Sequence, residues 1–202
     1  MCFLFRLNMR FILNILFLLH FINCGQVSES EKFPTLIFRK SQLLADHLIE
    51  YDNLSLYISS NFEKLDGKKY TSIENKLESI DNSYFNTDVL GIYQNSNGMV
   101  CIISSISGKN QIYQSLDKDF EEILARGSIN QESVRGQFLV NGIETVQFIT
   151  NQGKIINYKL YIDVLNSTCF QIDYFIPNEN FIKFEPVMEA SISSISIKRK
   201  KT

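Results

Sequence analysis

Past residue 23, three cysteines, one histidine and one run of carboxylates are the side chains whose types and spacing could do chemistry. Cys24 closes the apolar run LFLLHFIN and opens the polar stretch GQVSESEK. A thiol at such a boundary can be a core residue, half of a disulfide, or the first residue of a processed chain. Cys101 and Cys169 both fall in strand-like sequence. In an exported protein they could be bridged, provided their Cα atoms come within about 7 Å, or they could be two free, packed thiols. His47 shares helical spacing with Leu44, Leu48 and Tyr51, which reads as a partly buried structural residue. The alternative is a general base in a secreted hydrolase with a cryptic site near His47. Asp117, Asp119, Glu121 and Glu122 could attract a cation, but beside Phe120, Ile123 and Leu124 they read as the solvated face of an amphipathic helix. A single histidine after the leader leaves no His-rich metal set. The sequence also lacks H-E-x-x-H, G-x-S-x-G, P-loop and G-x-G-x-x-G patterns. The expectation is no catalytic residue, no metal site and no cofactor.

The amino-terminal segment sets Cys24 apart. Met9-Arg10 followed by FILNILFLLHFIN has the positive start and short apolar core of an export signal, and Met9 gives a more ordinary signal than Met1. A membrane span needs about 20 apolar residues. This run is shorter and is interrupted by Asn14 and His20. Phe21, Ile22, Asn23 and Cys24, with Gly25 following, resemble the lipobox of bacterial lipoproteins in a relaxed form, with Phe and Asn at its first and third positions. The resemblance implies that the Cys24 thiol receives a diacylglycerol, that residues 1–23 are removed, and that Cys24 becomes residue one. It makes the lipid bilayer the partner and places the protein in the cell envelope, at the outer membrane or the periplasmic face. A cleaved signal that happens to end at a cysteine and an uncleaved anchor helix are the alternatives. The polar residues that follow suit a tether, because they have little to bury.

Composition limits the rest. Hydrophobic residues make up 45% and charged residues 21%, so the chain is not of the disordered class. Net charge is -2 overall, and from Cys24 onward 18 basic residues face 22 acidic ones, giving -4. A mildly acidic protein has no general attraction to nucleic acid, and the KRKK of residues 198–201 reads as a solvated basic tail.

The elements that would position these residues follow from periodicity. Phe38 to Asp52 and Ser72 to Phe85 have helical spacing, the second with Ile73, Leu77 and Ile80 on one stripe. Leu54 to Ser60 alternates as a strand, and Asp66-Gly67 marks a turn. Val89 to Gln94, Asn97-Gly98 and Met99 to Ile106 form a hairpin signature. Gln111 to Gly127 is the clearest helix, with Gly127 past its end. A meander follows: Gln137 to Val140, Asn141-Gly142, Ile143 to Thr150, Asn151-Gln152-Gly153, Lys154 to Leu165, then Thr168 to Pro177. One side of these strands is apolar and the other largely polar, as in a sheet solvated on one side. Asn178 to Ile195 reads as a last helix, starting near Phe184 so that Pro186 lies in its first turn, with Phe181, Phe184 or Glu185, Met188 and Ile192 toward the sheet.

That order describes a single α+β domain, an antiparallel β-sheet built as a meander of hairpins and covered by three to four helices. The boundaries are residues 1–23 for the signal peptide, 24–36 for the lipidated cysteine and flexible tether, 37–197 for the globular domain and 198–202 for the basic tail. From Gly136 to Ile197, three consecutive strands run into a helix with the Ser-Ile repeats ASISSISIK. This third of the chain resembles the PsbP/Mog1-like domains, and the resemblance implies binding or assembly rather than catalysis. Tyr161 and Phe175 fall on the polar sides of their strands. They either pack under helices or form an exposed patch, which would be the candidate binding surface for an unknown ligand. The leading expectation is therefore a membrane-anchored, exported lipoprotein with a non-catalytic binding or envelope-assembly domain. A secreted eukaryotic protein is a further reading, because Asn53-Leu-Ser and Asn166-Ser-Thr match glycosylation sequons.

Overall fold

The computed structural model describes Thr35 and residues 44–78, 85–108, 112–126, 132–164 and 168–198, all within one compact unit, Pro34–Thr202. The segments expected to be signal peptide and tether, residues 1–36 apart from Thr35, lie outside the described residues with Cys24, Ile80, Gly127 and residues 199–202, as do the side chains of Leu77, Ile123 and Leu124. Ten strands and three α-helices are present among the described residues: β1 (His47–Tyr51), β2 (Leu54–Ile58), β3 (Phe62–Lys64), α1 (Gly67–Glu78), β4 (Asn86–Asn95), β5 (Val100–Ser107), α2 (Ile112–Arg126), β6 (Glu132–Val140), β7 (Ile143–Asn151), β8 (Ile155–Ile162), β9 (Thr168–Pro177), α3 (Phe181–Ser193) and β10 (Ser196–Ile197). The class is α+β, as the sequence implied.

Seven strands form one antiparallel sheet in the order β3-β4-β5-β9-β8-β7-β6, and β1-β2-β10 form a second, smaller sheet. The β6–β7 hairpin turns through Asn141 at φ 51° and Gly142 at φ 77°. Two positive φ values in succession are what a tight two-residue hairpin requires. The β4–β5 turn is built differently. Only Gly98 is left-handed, at φ 80°. The Asn95 side-chain oxygen accepts hydrogen bonds from the backbone N–H groups of Asn97 and Met99 at 3.0 Å each. Its own side chain thus does part of the turn's work.

Strand alternation sorts the large sheet into two faces. On the first, Tyr158, Leu160 and Ile162 of β8 stand opposite Tyr174, Ile172 and Phe170 of β9. They join one buried cluster with Cys101, Ile103, Phe184, Met188 and Ile192, together with Leu54, Leu56 and Ile58 from β2. On the second face Ile106, Val146, Phe148, Tyr161 and Cys169 cluster with Ile112 and Leu116 of α2. The expectation of a sheet solvated on one side is corrected here. Cys169 is fully buried and Asp173 is 4% exposed, although both lie on the side read as polar.

Three segments depart from the periodicity. Residues 47–51, read as helical, form β1, because pairing His47 to Ile58 and Tyr51 to Leu54 turns the inward side to Ile49. The turn expected at Asp66-Gly67 is the start of α1: Gly67 adopts φ 54° and the helix runs from it. The last helix starts at Phe181, earlier than expected, so Pro186 lies in its second turn. The carbonyl it leaves without an N–H partner belongs to Ile182, which is 86% exposed and therefore open to water.

Candidate functional site

Helix α2 is amphipathic in the ordinary sense, but its inward stripe contains a carboxylate. Ile112, Leu116, Asp119 and Phe120 recur at the spacing of one helical face, and the first three are buried. The reading of Asp119 as part of a solvated acidic face is corrected. Its Oδ2 accepts a 2.6 Å hydrogen bond from the phenol of Tyr161, which β8 projects from the second face. Asp117, two residues earlier on the other side of the helix, is exposed and pairs with Arg135 of β6 at 2.8 Å. So a buried hydrogen bond and a surface ion pair add to the apolar packing of α2 on the sheet, and the buried bond carries more weight than the ion pair.

Tyr161 was the first candidate for an exposed binding surface. It is fully buried, packed edge-on to Phe148 at 5.3 Å and near Phe85 at 6.1 Å, and it takes no part in an exposed patch. Phe175, the second candidate, is half-buried and stands opposite Asn157. Between them on the same face lies a polar cluster. The Asp173 carboxylate accepts from the Asn157 side-chain amide at 3.2 Å and from the Gln171 amide, and Lys159 is its cross-strand neighbour. The Lys159 ammonium also sits 5.7 Å from the Tyr161 ring centroid. Asn157, Lys159, Gln171 and Phe175 are each half-buried, so this part of the face presents two amides, an ammonium and an aromatic ring. These groups hydrogen-bond and stack, which is the chemistry of binding.

The thiols do not form a bridge. Cys101 stands opposite Tyr174 on the first face, and Cys169 stands opposite Ile106 on the second. Five positions of β9 separate these points, about 17 Å of strand, well beyond disulfide reach. Both are free and buried. Burial raises each thiol above its ordinary value near 9, with the charge of Asp173 adding to the effect at Cys101 and that of Asp163 at Cys169. Both stay protonated at neutral pH and are poor nucleophiles. His47 lies exposed on β1, in the smaller sheet, whereas both cysteines are in strands of the large one. Among the described residues no group of three or more His, Cys, Asp or Glu side chains is placed to hold a metal.

Asp119→Ala is expected to destabilise the domain by about 2 kcal/mol, because the buried Tyr161 hydroxyl loses its acceptor, while Asp119→Asn, which keeps an oxygen, costs less than half of that. Urea unfolding of the two variants checks the order. Equal losses would mean that the carboxylate's other contacts, rather than this bond, hold α2.

No family model matches the chain, and no curated protein matches it. Among solved structures it is similar to LpqN of Mycobacterium tuberculosis, a protein involved in cell envelope biogenesis. The TM-score is 0.47 at 10% identity, covering 72% of this chain and 83% of that one. A likeness at that level transfers neither a fold family nor a task, and it adds nothing to the PsbP/Mog1-like resemblance.

Proposed function

We propose that this is an exported lipoprotein, held in the cell envelope by acylated Cys24, whose 34–202 unit is a non-catalytic binding or envelope-assembly domain. The observation that carries the reading is the position of Cys24. An apolar run ends at it, a polar segment follows, and the compact unit begins at Pro34, ten residues later. Each buried acyl CH₂ contributes about 0.8 kcal/mol, so two or three chains on one cysteine hold a protein to a bilayer where one chain holds it poorly. Among the described residues no helix is long and apolar enough to cross a membrane. The surface for a ligand on this reading is the half-buried part of the second face, around Asn157, Lys159, Gln171 and Phe175.

Intact-mass measurement of membrane-extracted protein, wild type beside Cys24→Ala, tests the anchor. The wild type is expected to begin at Cys24 and to carry added acyl mass, and the variant to remain an unmodified precursor. A wild-type mass without acyl groups ends this reading.

A further inference from the structure

The sequence holds two Asn-Gly pairs, Asn97-Gly98 and Asn141-Gly142, and each turns a hairpin of the large sheet. An asparagine followed by glycine is open to an intramolecular reaction. The backbone nitrogen of the glycine can reach the side-chain Cγ of the asparagine, because no Cβ on the glycine stands in the way. The two groups belong to adjacent residues, so the attack needs only rotation of the side chain and of one backbone bond. The same chemistry is therefore placed at two positions of one fold. The surroundings of each carboxamide decide which of them reacts.

At Asn141 the carboxamide is held. Its Nδ2 donates to the carbonyls of Ser193 and Ile195 at 2.8 and 2.9 Å, which clamps it to the end of α3 and to the residue leading into β10. Turning Cγ toward the Gly142 nitrogen breaks both bonds, and that slows the step about tenfold or more. A carboxylate in the same place would face two carbonyl oxygens with no hydrogen to share. At Asn97 the carboxamide is not held. Ser96, Asn97 and Gly98 are all exposed, and the Asn97 side chain makes no hydrogen bond among the described residues. The turn is kept in shape by Asn95 instead. Its Oδ1 accepts from the N–H groups of Asn97 and Met99, and its own N–H donates to the Met99 carbonyl at 3.1 Å. The Asn97 side chain can thus rotate while the turn stays in place. A Cβ at Gly98 would meet only Pro177, at 3.8 Å, so the space beside the nucleophile is open. The restraint on that nucleophile is a hydrogen bond from the Gly98 N–H to the Asn95 carbonyl at 3.2 Å, the long end of the usual range.

From this contrast we propose that Asn97 is a site of covalent modification, converting to aspartate and isoaspartate in the folded protein, while the clamp on Asn141 protects the second Asn-Gly pair. The Gly98 nitrogen gives its proton to solvent base and bonds to Asn97 Cγ. The Cγ–Nδ2 bond breaks, and the amide nitrogen leaves as ammonia with a proton taken from solvent. Water then opens the cyclic imide at either carbonyl, giving aspartate or isoaspartate. No oxidant or reductant takes part. The product adds a negative charge to the turn between β4 and β5. In the isoaspartate form the backbone is also longer by a carbon atom. An exposed turn absorbs that length, because the strand pairing resumes at Gln94 and Val100 on either side of it.

The test incubates the purified protein at mildly alkaline pH, below the range in which the buried phenols ionise, in parallel with the same protein unfolded in guanidinium chloride. Peptide mapping follows the mass gain from amide to acid at each asparagine, and an isoaspartyl methyltransferase reports the isoaspartate form. In the folded protein Asn97 is expected to convert about tenfold or more faster than Asn141. In the unfolded protein the clamp is gone, and the two sites are expected to convert at similar rates. Asn97→Ser, at a position whose backbone is not left-handed, is expected to remove the first acidic isoform that the folded wild type accumulates. Equal rates in the folded protein, faster conversion at Asn141, or a preference for Asn97 that persists after unfolding would each overturn the proposal. So would an Asn97 that stays intact in the folded protein while the unfolded chain converts, or a first acidic isoform that survives Asn97→Ser.

Discussion

Raising the pH past about 10 is expected to unfold the domain in one cooperative step. Six acidic groups that are neutral at pH 7 are held inside the fold, and burial is the first cause of the upward shift at each. Tyr174 and Tyr161 are raised well above the ordinary phenol value, Tyr161 with the neighbouring Asp119 charge adding to burial. Tyr158 is raised by burial and then by the charges of Glu189 and Glu185, and Tyr93 by burial and its hydrogen bond with Tyr51. Cys101 and Cys169 are raised in the same way. The sign follows from the neutral form being the one that the fold tolerates. Below the ordinary thiol value near 9, both folded and unfolded chains keep these protons and stability is intact. Above it the unfolded chain ionises first, and stability falls as pH rises toward the elevated folded values. Each group contributes a slope of about 1.4 kcal/mol per pH unit once its unfolded form has ionised. With six groups, a domain stability of about 5–15 kcal/mol is exhausted within one to three pH units. The part of the phenolate absorbance change that comes from the buried tyrosines is expected to share one midpoint with the far-ultraviolet circular dichroism. Ionisation of all the phenols near pH 10 with the circular dichroism unchanged would show that the buried tyrosines are reached by solvent without unfolding.

The buried acids also mark where the sequence is legible and where it is not. Hairpin turns and meander strands are written in short-range chemistry, so Asn141-Gly142 and the strand Thr168 to Pro177 are found where alternation puts them. Helix α2 is nearly as plain, because four of its residues repeat at helical spacing. What alternation does not reveal is which helix covers the second side of a strand. Asp119 and Tyr161 are 42 residues apart, and each looks like a surface residue in its own segment. Only their contact converts a solvated carboxylate and an exposed ring into a buried pair. The same limit explains β1. Leu44, His47, Leu48 and Tyr51 have helical spacing, but strand pairing with β2 and the seat of Tyr51 against β4 decide the conformation. β10 is two residues long and exists only because β2 offers it an edge. Of the candidate site, Phe175 remains accessible in part and Tyr161 does not. The cysteine pairing depends on strand register, which puts the two thiols on opposite faces.

Gly91→Ala is expected to destabilise the domain by about 2–3 kcal/mol, the upper range for overpacking a filled core. The residue sits beside a register irregularity in β4, between Val89 and Gly91. A Cβ added there would lie 2.1 Å from the Tyr51 hydroxyl oxygen, 3.0 Å from that ring's Cζ and 2.9 Å from Tyr93 Cε2. Neither ring has an easy retreat. The two hydroxyls are hydrogen-bonded to each other at 2.7 Å, Tyr93 is 5% exposed, and Lys64 lies 5.6 Å from the Tyr51 ring centroid. The alanine methyl must therefore displace Tyr51, and with it the contact that ties β1 of the small sheet to β4 of the large one. Urea unfolding of Gly91→Ala, Tyr51→Ala and the double variant separates this from a general intolerance of β4. If the clash is with Tyr51, removing that ring makes room, and the double variant is expected to be more stable than the sum of the single losses by about 1 kcal/mol or more. Part of the cost persists in the double variant, because Tyr93 stays in place. Strict additivity would locate the strain in the β4 backbone instead.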